Sequence, residues 1–302
     1  MGRALGVSRA AIHKHMQALA GQGVPIHRVP GRGYRLADGV SLLDAAEIRT
    51  HLSERARVLA SEIEILEEVD STSAYLARSP DAASLQGRVC LAEKQTSGRG
   101  RRGRSWVACP YRDLVMSIGV EYDHWPAHLP TLGLVTAMAI INGLSDLGVE
   151  GLAVKWPNDV VHGERKFCGV LLDVAGEAHG DCRVIIGIGL NVSSDARSID
   201  QQWVDLASIA GRAPDRNVLA AHCLNALLPV LETFPADGFA GYLPEWRRLD
   251  CLRDRPVTVH GTDGTTLHGT AAGVDASGRL RVADGNGGIH VFTQGDVSVR
   301  AR

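Results

Sequence analysis

Lysine is scarce in this chain. Of the 32 basic residues only Lys14, Lys94, Lys155 and Lys166 are lysine, and arginine supplies the rest. A lysine kept against that bias fits a position that needs a compact ammonium rather than a broad guanidinium, with chance retention as the alternative. Excess positive charge is lacking too: 34 acidic residues bring the formal net charge to −2, which excludes wholesale coating of nucleic acid and restricts any such contact to a local segment. The six cysteines (90, 109, 168, 182, 223, 251) show no C-x-x-C spacing, which argues against structural zinc. No secretory leader pattern and no run of eighteen apolar residues is found, so the expected setting is a reducing cytoplasm without a membrane span.

At 302 residues and 45% hydrophobic content, the chain can bury an ample core and build two domains and a small third one. Its most informative stretch is Gly98-Arg99-Gly100-Arg101-Arg102-Gly103-Arg104-Ser105-Trp106. Glycines let backbone N–H groups approach a ligand, and arginines offer forked donors for carboxylate and phosphate, so the segment reads as a loop that wraps a compact anion. A solvated basic surface loop is the plain alternative.

The same stretch spells G-x-G-x-x-G, and Glu121 lies about where a ribose-binding acid belongs. A dinucleotide fingerprint must open a helix directly, however, and Ser105-Trp106-Val107-Ala108-Cys109-Pro110-Tyr111 has no helical period. The H-R-D and D-F-G partners of a kinase loop are absent, as is a Walker P-loop.

The first forty residues read as part of a winged helix-turn-helix. Ser8 caps a helix with Ile12, Met16 and Leu19 on one face and Arg9, His13, Lys14 and Gln17 on the other, and two short strands around Gly31-Arg32-Gly33 follow. A small helix and hairpin docked on the main body is the alternative. A connector with a short helix at 43–52 leads to strands expected near 63–69, 88–93, 114–121, 152–156, 169–174 and 184–192, and helices near 72–78, 132–147, 218–233 and 239–248. The close pair 169–174 and 184–192 must be antiparallel, which makes the core α+β with a mixed sheet. From Arg255 onward, short strands separated by Gly/Asp turns describe a small β-barrel.

With Gly98–Trp106 joined by Val154-Lys155-Trp156-Pro157-Asn158-Asp159, Lys166-Phe167-Cys168-Gly169 and Gly187-Ile188-Gly189-Leu190-Asn191, the chain resembles the biotin–protein ligases of the repressor type. The likeness extends to Ser8-Arg9-Ala10-Ala11-Ile12, the Val29–Tyr34 wing and Arg255-Pro256-Val257, and so spans essentially the whole chain. It implies a class II aminoacyl-tRNA-synthetase-like ligase core at 59–252, after a winged helix-turn-helix at 1–40 and a linker at 41–58, and before an SH3-like barrel at 253–302. The chain starts only a few residues before the turn, so the DNA-reading unit is expected to be shortened.

The resemblance implies that biotin and ATP form biotinyl-5′-AMP and pyrophosphate, and that the biotinyl group passes to a lysine of a biotin carboxyl carrier protein, usually that of acetyl-CoA carboxylase. Residue by residue, it places Ser71, Thr72 and Gln95 on the biotin head group with backbone near Gly98 and Gly169, and Arg99 over the activated carboxylate. Arg101 and Arg104 belong to the loop that orders over the adenylate. Trp106 would pack beside adenine, Lys166 would contact phosphate and carbonyl, and Asn158, Asp159 and Asn191 would line the nucleotide side. Ser73 replaces the asparagine usual in the family and is left outside the expected site. Arg9, His13, Lys14, Gln17 and Arg32 would face a DNA operator, and a ligand-linked homodimer is expected.

The chemistry suits these residues, because a carboxylate and a triphosphate repel and need Arg99, Arg101, Lys166 and Mg²⁺ delivered with ATP, rather than a fixed metal site, to neutralise them. Asp159 could accept a proton from the incoming lysine or serve structurally; Lys155 could touch substrate or form a buried ion pair. His124 and His128 flank Pro126, no carboxylate follows them at metal-site spacing, and no zinc site is expected there. Trp125, Trp203 and Trp246 are expected to fill core or interdomain gaps. Two competing readings are a biotin-sensing DNA-binding regulator without ligase activity, which could dispense with the phosphate-handling residues, and a lipoate-type acyl ligase, which would lack the G-R-G-R-x-G run.

Overall fold

The computed structural model describes residues 6–21, 23–37, 40–79, 84–176, 180–194, 201–261, 264–293 and 297–301. At the N-terminal end, Ser8 Oγ accepts from Ala11 N at 3.2 Å and caps α1 (Arg9–Gly21), which leads to the antiparallel pair β1 (Ile26–Val29) and β2 (Gly33–Leu36). Gly31 and Gly33 take φ of 70° and 109°, a region that only glycine enters cheaply, and they turn the wing. Ile12, Met16 and Leu19 are only half-buried.

The connector holds two helices where the sequence suggested one, α2 (Ala45–Thr50) and α3 (Glu54–Leu59). Asp44 accepts from Ala46 N and Glu47 N, and Ser53 accepts from Ala56 N, so each helix has its own cap and the chain breaks between them.

The centre is a seven-stranded sheet of β3 (Glu62–Val69), β4 (Arg88–Gln95), β5 (Leu114–Tyr122), β6 (Leu152–Lys155), β7 (Asp159–His162), β8 (Arg165–Gly176) and β9 (Cys182–Leu190) in the order β3-β4-β5-β9-β8-β7-β6. Only β3 and β4 run parallel, with α4 (Thr72–Ala77) between them in sequence, so the mixed α+β reading holds. Strand β7 and the first residues of β8 were missed by the sequence reading, which began the strand at 169. The hairpin around Gly163 is short and its register shifts between Val160 and Val161, which breaks the alternation that a pattern search detects.

One face of the sheet is covered by α5 (Leu132–Ser145) and α7 (Arg216–Asp237); α8 (Leu243–Leu249) packs beside them, and a short helix, α6 (Leu206–Ala210), follows β9. Helix α7 runs past the expected end at 233 through Pro229 and Pro235. It is long and apolar enough to cross a bilayer by composition, yet Leu219, Leu224, Leu227, Leu231 and Phe234 are buried in the core. Trp246 fills this core as expected, whereas Trp125 is 37% exposed and fills no gap.

The other face carries α4 and the arginine loop. Its side chains alternate along each strand, so Ser117, Gly169, Gly187 and Gly189 share that face while Cys168, Val170, Ile186 and Ile188 point into the core. The C-terminal sheet is antiparallel, with β10 (Pro256–Gly261), β11 (Thr266–Val274), β12 (Leu280–Ala283), β13 (Ile289–Phe292) and β14 (Val297–Ala301) in the order β13-β12-β11-β10-β14. Trp156 Nε1 donates to Gly278 O at 3.0 Å and ties this sheet to the 155–159 hairpin.

Candidate active site

Two glycines on the paired strands β8 and β9 leave a hollow in the open face of the sheet, and Trp106 lies in it. A Cβ on Gly189 would stand 2.3 Å from Trp106 Cε2, and one on Gly169 would stand 2.9 Å from Cζ3. The indole therefore rests directly on backbone, which gives a physical reason for glycine at both positions. Trp106 Nε1 is buried without a hydrogen-bond partner. Lys166 Nζ lies 5.4 Å from the ring centroid, within cation–π range.

The arginine loop is a closed hairpin. Trp106 N donates to Gly98 O at 2.9 Å and Gly100 N to Arg104 O at 2.7 Å, while Arg102 and Gly103 take left-handed φ of 57° and 69° at the tip. A Cβ on Gly98 would meet Trp106 O at 2.5 Å, so the hairpin closes only with glycine there. Arg101 Nη1 donates to Asn158 Oδ1 at 3.0 Å, and burial pulls the Arg101 pKa down, partly offset by the Asp159 charge. Arg99 is held by Asp173 on β8, a partner that the sequence did not indicate, and Arg104 stays exposed.

Lys166 Nζ meets Asp159 Oδ1 at 2.8 Å; both residues lie on the paired strands β7 and β8. Asn158 is 6% exposed and its Nδ2 donates to Val170 O, which leaves Oδ1 for Arg101. Asn191 uses Nδ2 on Lys166 O and Val204 O, both at 3.2 Å, and so fixes the backbone that carries Lys166. Lys155 sits at the junction with the C-terminal sheet, where its charge is felt by Glu164 and Cys251.

At the other end, Ser71 Oγ caps α4 by accepting from Ala74 N at 3.4 Å. Its backbone N donates to Asp70, whose carboxyl the Arg78 guanidinium holds at about 2. Thr72 donates its N–H and its hydroxyl to Gln95 Oε1 at 2.8 and 3.1 Å. Ser73, excluded by the sequence reading, is buried here and shares Ser117 with Thr72. Ser117 and Asp113 also escaped notice. Asp113 accepts from Cys109 N at 2.7 Å, Val192 N at 2.9 Å and Ser194 Oγ at 2.6 Å, which ties the stem of the arginine loop to the segment after Asn191. Both residues lie in or next to a strand that reads as plain core, so no local signal marks them.

In the N-terminal segment Arg9, Lys14, Gln17 and Arg32 are exposed, and His13 is hydrogen-bonded to Tyr34 of the wing. His128 Nε2 donates to Phe234 O, 2.6 Å away, and serves the core.

Residues 65–191 match the Biotin/lipoate A/B protein ligase family, residues 1–35 an HTH domain, and residues 254–300 the biotin protein ligase C terminal domain. The bifunctional ligase/repressor BirA of Salmonella typhimurium is 36% identical over 305 residues, covering 100% of this chain and 92% of that protein. The Escherichia coli protein of the same name is 35% identical over the same shares. Among solved structures, biotin protein ligase from Aquifex aeolicus in complex with biotin and ATP superposes with a TM-score of 0.69 at 26% identity, covering 80% of this chain and all of that one. The chain belongs to the Biotin/lipoate A/B protein ligase family, and within it to the biotin protein ligases of the bifunctional ligase/repressor type.

Proposed function

We infer that the protein is an ATP-dependent biotin–protein ligase. The biotin carboxylate attacks the α-phosphorus of ATP, the bond to the β-phosphate oxygen breaks, and pyrophosphate leaves. A neutral lysine amine of a biotin carboxyl carrier protein then attacks the acyl carbon, AMP departs, and the amine proton passes to solvent. Mg²⁺ arrives on the ATP phosphates, as part of the substrate.

The observation that carries this reading is the grouping of Arg101, Lys166, Asn158 and Asp159 at one end of the Trp106 hollow, with the Thr72–Gln95 pair supplied from α4 and β4. Two cations set in a half-buried site suit the repulsion between carboxylate and triphosphate. The ion pair with Lys166 makes Asp159 the residue that positions the ammonium. Arg99, held over β8 by Asp173, and Arg104 at the exposed side serve the loop that closes over the adenylate. Ser71 shapes the head-group end through the α4 cap, the backbone at Gly98 and Gly169 borders the biotin where the loop closes and the indole is seated, and Trp106 and Asn191 form the nucleotide side.

The relatives named ligase/repressor and the HTH match support a second role, in which Arg9, Lys14, Gln17 and Arg32 contact an operator while His13 braces the wing. A ligand-linked homodimer belongs to that reading. No two of the six cysteines are joined in a disulfide, which suits a reducing cytoplasm.

Incubating the protein with biotin, Mg-ATP and a carrier domain tests the assignment. One biotinyl group added to the carrier, measured by mass, is expected; labelling by lipoate alone, or none, overturns it.

A further inference from the structure

Beneath Thr72 and Gln95 lies a residue with no assigned part in the reaction. Ser117 is fully buried in the middle of β5, opposite Cys90 on β4 and Gly187 on β9. Its Oγ is 2.7 Å from Thr72 Oγ1 and 2.9 Å from Ser73 Oγ. A Cβ on Gly187 would stand 2.7 Å from Ser73 Oγ, so the glycine makes room for this contact.

Hydrogen accounting gives the cluster a direction. The Gln95 atom facing Thr72 N must be an acceptor, because a backbone N–H only donates, so Oε1 is fixed there. The Thr72 hydroxyl, 3.1 Å away, spends its one hydrogen on the same oxygen. Thr72 Oγ1 can then only accept from Ser117, and Ser117, its own hydrogen spent, can only accept from Ser73. The donor chain runs Ser73 to Ser117 to Thr72 to Gln95. Its result is that Thr72 and Ser73 keep free lone pairs, while Gln95 keeps both amide hydrogens.

We propose that Ser117 is a positioning residue that sets this polarity and thereby selects a cyclic urea head group, with two N–H donors beside one carbonyl acceptor. The proposal rests on the biotin reading above and adds the residue that determines which hydrogen-bonding pattern the site accepts. Without Ser117, the Ser73 hydrogen is released and Thr72 loses the donor that holds its hydroxyl, so either group can turn and donate to a ligand.

The test compares wild type, S117A and S117C with two ligands: biotin, and the cyclic carbamate analogue in which oxygen replaces one ring N–H. For S117A the KM for biotin should rise about tenfold, with kcat at saturation within twofold, and the preference for biotin over the carbamate should shrink. S117C, whose thiol is a weak donor of similar size, should fall between; if S117A does not fold, S117C carries the comparison with wild type. Equal losses for both ligands, a fall in kcat instead of a rise in KM, or no change would overturn the proposal. Wild type that fails to bind biotin would bring down the ligase reading itself, whereas a biotin-competent wild type with unaltered variants would sink only the role of Ser117.

Discussion

Arg216 Nη2 and Glu93 Oε2 lie 2.7 Å apart with side chains that are 0% and 4% exposed, a charge pair closed off from water. The guanidinium also donates to Ser41 O and to Asp113 O at 3.0 and 3.1 Å, and Glu93 accepts from Leu43 N at 2.7 Å. The connector, α7 and the end of β4 that carries Gln95 are thereby joined through one buried network. Charge of this kind is tolerable only while every member is present.

Replacing either partner alone strands the other. Arg216→Met or Glu93→Gln should cost about 3–5 kcal/mol of unfolding free energy, read from urea denaturation. A change below about 1 kcal/mol would show that water reaches the pair.

Gly189→Ala should lift the Trp106 indole, because the new Cβ would fall 2.3 Å from Cε2 and strand β9 cannot retreat. Transfer of biotin to a carrier should drop on the order of 100-fold, with a red shift in tryptophan emission. Wild-type emission with wild-type transfer would mean that the ring already sits elsewhere in solution.

Arg101→Gly removes the contact between the loop and Asn158 Oδ1 at 3.0 Å. The reactive acyl-adenylate should then escape and label bystander lysines, an effect that weakens on dilution. Full retention of the intermediate, assayed by filtration, would remove the lid role from this loop.

Asp250 ends α8 at the junction with the C-terminal sheet, with Oδ1 on Leu252 N and Oδ2 buried and unpartnered. Burial raises its carboxyl to about 6, against the pull of the Leu252 backbone bond and Arg253. A folded pKa above the unfolded one means that the native state binds the proton more tightly, so stability falls as pH rises from about 4 to 6 and stays lower beyond. Asp250→Asn should flatten that fall and gain on the order of 2–3 kcal/mol at pH 8, with no gain near pH 4. Parallel pH profiles of Tm for both proteins would contradict the assignment.

Much of this molecule is legible in its amino-acid sequence. The short turn between the strands at 169–174 and 184–192 marked the mixed sheet, because it leaves no room for a helical crossover. The glycine-arginine run, the 155–159 phrase and the two glycine-bearing strands pointed to one site through the family resemblance that they carry together. What escaped was short or non-local: β7 spans four residues, and the split of the connector into two helices depends on caps rather than on period.

The amino-acid order by itself determined the chemistry, since guanidinium, ammonium and glycine at fixed spacings settle what a segment can bind wherever it folds. Only the tertiary structure decided who holds whom. Asp173 on Arg99, Asp159 on Lys166, Ser117 beneath Thr72 and Glu93 against Arg216 are partners from distant segments, and their pairing is set by strand register and burial, which no local pattern encodes.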